Sequence, residues 1–171
     1  MRMSPTYKMP FKRRRLGKTD YERRLKLLLS KKPRLVVRKS LKYMTAQLVE
    51  FSKEGDKTLV SANSKELKDF GWNFAFDNLP AAYLTGLLIG KKALKKGIKE
   101  AVLDVGLQAS TKGNKIYVLA KGAVDAGLKV PIDESILPPE DRIKGLHISK
   151  YLEKFKLLPE KFEEVKKKIG G

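Results

Sequence analysis

The spacing of hydrophobic positions changes along the chain, and each spacing predicts an element. Residues 1–17 hold two prolines and few apolar positions, so an extended or disordered arm is expected. Thr19 and Glu22 then fit a capping box, with the Thr19 hydroxyl as the N-cap. Tyr21, Leu25, Leu28 and Leu29 follow at helical spacing, with Arg23, Arg24 and Lys26 off that stripe. They predict a helix over 20–31 that docks its apolar face and turns its basic face outward. Pro33 ends it.

Beyond Pro33 the pattern shifts to β-branched runs. Residues 34–51 read as a hairpin turning at Lys39, Ser40, Leu41 and Lys42, and a third strand is expected over 58–62. Asp77 or Asn78 can cap a helix with Pro80 in its first turn, ending near Gly97. A short strand over 101–105 is followed by Ile116, Leu119, Ala120, Ala123 and Val124, a helical repeat closed by Gly127. Residues 128–131 suit a last strand, and helices are expected over 146–157 and 159–169. This order predicts an α/β fold with a mixed sheet of four to five strands and two packed helices. The expected organisation is a basic arm and helix over 1–33, a core over 34–135 and a helical extension over 136–171.

Charge changes the picture more than composition does. The chain of 171 residues carries 38 Lys and Arg against 19 Asp and Glu, a formal +19. Residues 1–34 hold 13 basic and 2 acidic side chains, whereas residues 101–145 hold 6 of each. That is a basic arm on a mixed-charge body, and a nucleic acid is its natural counter-charge. The absence of cysteine excludes disulfides and thiolate metal sites, and one histidine, His147, leaves no pair for a metal. Its place at a helix start suits a capping or surface role. The apolar stretch 79–90 is short of the roughly 20 residues that span a bilayer. No apolar region follows the basic N-terminus as in a signal peptide, so an intracellular soluble protein is expected.

Candidate chemistry is sparse. Gly17-Lys18-Thr19 ends like a phosphate-binding loop, but Lys12 stands where that loop needs its first glycine. Gly86 and Gly90 suit close packing of a helix on the sheet. The carboxylates, Asp104 and Asp125 among them, form no local pair for acid–base work, so no catalytic residue, metal or cofactor is expected. Lys12, Arg13, Arg14 and Arg15 are different. Arginine offers a planar fork to phosphate oxygens and a face for stacking on bases. A hairpin with Arg38, Ser40, Lys42, Tyr43 and Gln47 beside this arm suits a folded RNA recognised by shape. A duplex DNA partner stays open on these grounds.

Several segments occur in a telling order: FKRRRLGKTDYERRLKLL (11–28), PRLVVRKS (33–40), GDKTLVSANSKEL (55–67), NLPAAYLTGLL (78–88), LDVGL (103–107) and GNKIYVLAKGAVDAGLKVP (113–131). They resemble the large-subunit ribosomal protein that binds 5S ribosomal RNA, the "L eighteen" family, in its archaeal and eukaryotic branch. The resemblance runs over 10–150. It implies a non-catalytic protein of the cytoplasmic ribosome that clamps 5S rRNA and helps attach it at the central protuberance. Large-subunit rRNA and neighbouring ribosomal proteins would be its other partners, with no membrane and no small-molecule substrate. By the same resemblance, RNA contact falls to Lys12, Arg13, Arg14, Arg15, Lys18, Thr19, Tyr21 and Arg24 in the arm. It also falls to Arg34, Arg38, Ser40, Lys42 and Gln47 around the hairpin, and to the loop Lys112, Gly113, Asn114 and Lys115.

Overall fold

A computed structural model describes residues 6–170. Strands β1 (Arg34–Lys39), β2 (Met44–Glu50), β3 (Lys57–Asn63) and β4 (Val102–Asp104) form one sheet in the order β3-β2-β1-β4. β1–β2 and β2–β3 are antiparallel and β1–β4 is parallel, so the sheet is mixed. The hairpin turn is held by Ser40, whose hydroxyl donates to the Tyr43 carbonyl at 2.9 Å and accepts from its N–H at 3.0 Å.

Strand alternation sorts the two faces. Leu35, Val37, Met44, Ala46, Leu48, Val60 and Ala62 point to the core. Arg34, Val36 and Arg38, with Thr45, Gln47, Ser61, Asn63 and Asp104, fall on the other face by the strand register. Helices α3 (Leu79–Lys95) and α4 (Lys115–Asp125) cover the core face, α3 on β2 and β3 and α4 on β1. Asn78 caps α3, its Oδ1 accepting from Ala81 N at 2.8 Å, and Gly127 follows α4 with φ +104° as expected.

Gly86 and Gly90 do not pack on the sheet as expected; they bring α3 against α4. A Cβ at Gly86 would overlap the Leu119 carbonyl, and one at Gly90 would stand 2.9 Å from the Ala123 carbonyl. Gly122 reciprocates against the Tyr83 carbonyl. The closeness is backbone to backbone, which only glycine permits.

Other differences are local. Lys12–Arg15 close one helical turn, α1, where an extended arm was expected; residues 1–5 of that arm lie outside the described residues. Residues 64–70, unassigned from sequence, form a 3-10 helix under an Asn63–Glu66 capping box. No strand forms over 128–131: only Lys129 bridges Glu100, and Pro131 has no N–H with which to extend a ladder. The expected helix over 146–157 is broken by extended Leu152 into α6 (Leu146–Tyr151) and a 3-10 turn over 153–155, with α5 (Glu140–Ile143) before it. Then α7 (Leu158–Gly170) buries Leu158, Phe162, Val165 and Ile169, one face at 4-3-4 spacing, against α3 and the 64–70 helix.

Candidate nucleic-acid interface

The arm folds on itself before it meets the body. Gly17 turns the chain at φ +61° after α1, the Arg13 carbonyl accepts from Lys18 N at 2.9 Å, and the Phe11 and Tyr21 rings lie 5.3 Å apart. Helix α2 (Tyr21–Leu29) is capped by Asp20, not by Thr19. The Asp20 carboxylate accepts from the Glu22 and Arg23 N–H groups at 3.0 and 3.1 Å. Thr19 instead receives a hydrogen bond from Arg13 Nε at 2.8 Å. Asp is as good a cap as Thr, and its position sets the helix one residue later.

The docked face of α2 also differs from the apolar stripe. Leu25 and Leu29 are 60% and 73% exposed, and no residue of the helix is fully buried. Arg24, expected outward, faces the body, where its Nη2 meets Asp56 Oδ1 at 2.7 Å. An ion pair has outcompeted a leucine for the inward position. The hydrogen bond it donates to Asp56 raises the Arg24 guanidinium above its ordinary value. At Asp56, burial favours the neutral acid. The bond from Arg24 and the charges of Arg34 and Arg24 outweigh it, leaving the carboxyl below its ordinary value.

Arg34 is 4% exposed and does not present its guanidinium to a surface ligand. Its Nη1 holds Asp104 Oδ2 at 2.7 Å and its Nη2 holds Asp56 Oδ2 at 2.6 Å. Arg38, 45% exposed, donates to the carbonyls of Val37 and Asp104 at 2.8 and 2.9 Å and reaches Asp104 Oδ1 at 3.3 Å. Asp104 also accepts from Gly106 N at 2.9 Å. Its buried carboxylate is thus compensated on both oxygens. Sequence reading gave neither Asp56 nor Asp104 a place in an RNA site; for Asp104 the signal was an acid in the apolar strand of LDVGL, and Asp56 carried none.

Between α2 and the edge of the sheet opens a cleft of about 480 Å³. Arg13, Lys18, Arg23, Arg24, Lys26, Arg34 and Arg38 line it, against the carboxylates Asp20 and Asp104 alone. Ser110 and Tyr117, joined by a hydrogen bond between their hydroxyls, form its far wall. Sequence reading passed over both of them. Lys12, Arg13, Arg14, Arg15 and Lys18 are exposed, with no carboxylate in ion-pair range among the described residues. Lys42 is exposed at the hairpin tip, and half-buried Gln47 lies on the outer sheet face.

The 112–115 segment is mostly occupied with its own fold. Asn114 caps α4, and Lys115 is the first residue of that helix, paired with Asp77 at 2.7 Å. Gly113, at φ +72°, donates its N–H to Ile136 O at 2.8 Å. Lys112 is exposed. His147 is largely exposed on α6, where no side chain serves as cap; partial desolvation of its ring and the charge of Arg142 lower its pKa. No cluster of metal-ligating side chains and no helix long and apolar enough to cross a membrane occurs among the described residues.

An α/β body with unpaired cations along an exposed arm, beside a cleft whose charged lining is mostly basic, has the layout of a protein that sits against a polyanion. A family model described as ribosomal large subunit proteins 60S L5 and 50S L18 matches residues 5–100 and 95–133, and the chain belongs to this family. It is a constituent of the large ribosomal subunit, in a family of structural ribosomal proteins and not of enzymes. Membership implies rRNA and other ribosomal proteins as its partners, and the ribosome as its place.

Proposed function

We propose that this protein binds 5S rRNA and helps attach it to the large subunit at the central protuberance. The observation that carries the reading is the unpaired arm: Lys12, Arg13, Arg14, Arg15 and Lys18 stand exposed beside a cleft whose charged lining is mostly basic. Arm residues 1–33 would clamp the RNA backbone against the sheet and hairpin of the 34–135 core. Tyr21, Arg38, Lys42, Gln47, Lys112 and Gly113 keep places in the contact set, with Ser40 as the turn that presents Lys42. Thr19 would act by orienting Arg13. Arg34, Asn114 and Lys115 would serve the scaffold. No proton or electron moves in this mechanism: guanidinium and ammonium groups replace counterions along the phosphates, and shape sets the fit.

The test is competition at about 0.15 M salt between folded 5S RNA and duplex DNA of equal length. Preference for the RNA is expected, and preference for the duplex would overturn the reading. Large subunits assembled without the protein should lose 5S RNA; full retention would remove the attachment role.

A further inference from the structure

Helix α2 has little apolar hold on the body. It is 9 residues long and buries none of them fully. An isolated helix shorter than about 12 residues is marginal in water, so docking must supply its order. A relay of alternating charge that starts at Arg24 ties it to the sheet. Arg24 meets Asp56, Asp56 meets Arg34, Arg34 meets Asp104, and Asp104 meets Arg38. Asp56 is the one link between arm and sheet in this relay. It stands in the loop between β2 and β3, with one carboxylate oxygen on the arm and the other on buried Arg34. Arg34 is itself fixed by Asp104, so the acid is aimed from a rigid base. On Coulomb's law alone a carboxylate beside an RNA-binding cleft should weaken binding.

Building on the RNA-binding reading above, we propose that Asp56 is a positioning residue for RNA recognition: by gripping Arg24 it docks α2 and sets Arg13, Lys18 and Arg23 along the cleft before RNA arrives. A docked arm has already lost the freedom that RNA would otherwise have to remove. Apparent affinity scales with the fraction of protein in the competent posture. Positioning and repulsion therefore give opposite signs when the charge is removed.

The experiment uses the full chain with Asp56→Asn, Asp56→Glu and Arg24→Gln. Hydrogen exchange over residues 20–30 is followed in free protein, and affinity for folded 5S RNA is measured at about 0.15 M salt. In Asp56→Asn, exchange over α2 should quicken about tenfold while the core strands keep their protection. RNA affinity should fall about fivefold. Asp56→Glu, which keeps the charge on an exposed loop, should restore both. Should Asp56→Asn fail to fold, Arg24→Gln leaves Arg34 paired with both acids and should loosen α2 alike. Unchanged exchange over α2 in the variants overturns the proposal, and so does RNA binding as tight as or tighter than wild type in Asp56→Asn. A wild-type protein without affinity for that RNA overturns the RNA half along with the reading beneath it. The exchange result involves no RNA and decides the docking half separately.

Discussion

The guanidinium of Arg38 lies over Gly106, so close that a Cβ there would stand 2.8 Å from Arg38 Cζ. Gly106 is at φ +63° and donates its N–H to the Asp104 carboxylate that also meets Arg38. The glycine is a seat for the arginine as much as a turn. Gly106→Ala should therefore displace Arg38 and strain the backbone, at a cost of about 1–2 kcal/mol in stability. It should also weaken RNA binding to the extent that Arg38→Ala does. Parallel denaturation and binding titrations check both, and an alanine variant that binds like wild type would mean that Arg38 is not a contact.

The arm makes its own prediction. Changing Arg13, Arg14 and Arg15 together to alanine should leave the fold intact, because all three are exposed and α1 buries nothing. If each arginine meets one phosphate, the slope of log affinity against log salt should flatten by about 2 to 3 units. A salt series on the triple variant measures it; an unaltered slope would take the run out of the interface.

Asp104 is predicted to matter for stability more than its strand suggests. In Asp104→Ala, buried Arg34 loses one of its two counter-charges, and Arg38 and Gly106 N lose an acceptor. Removing one partner of a buried ion pair costs about 3–5 kcal/mol, and the surviving Arg34–Asp56 contact should keep the loss near the lower figure. Urea denaturation is the measurement.

Acid should undock the arm. The Asp56 carboxyl titrates below its ordinary value of 3.8, so its contribution is fully present above that pH and is lost as pH falls through the folded-state value. Arg24 from α2 and Arg34 from β1 are the charges that face it. On an acid titration followed by amide shifts, α2 should move away from its neutral-pH positions below pH 3.8 while β1 and β2 hold. High salt should raise the midpoint, since the Arg24 and Asp56 side chains are each about 30% exposed.

The exposed charge of the arm was legible because it depends on local composition. Lys12, Arg13, Arg14 and Arg15 have no acid within four residues in sequence, and among the described residues no carboxylate comes within ion-pair range of them in the fold. The sheet was legible for a similar reason: alternation in 35–48 sorts core from surface with no knowledge of the partner strand. Thr19 was misread because two adjacent residues could both cap, and the choice turned on Arg13 claiming the threonine hydroxyl. Leu25 and Arg24 exchanged roles because helical periodicity records which residues share a face, not what waits opposite. What waits is Asp56, 32 residues away.

By itself, then, the sequence determined the alternating strands, the capped and glycine-ended helices and the size and place of the positive charge. Each of these follows from neighbours within a few residues. The tertiary structure alone decided that Gly86 and Gly122 serve a helix pair, that Arg34 is buried scaffold, and that two aspartates brace the arm. Those outcomes depend on distances between segments distant in sequence. Ion-pair and backbone contacts need partners within a few ångströms, so only the folded chain can sort the arginines that hold the protein together from those left unpaired.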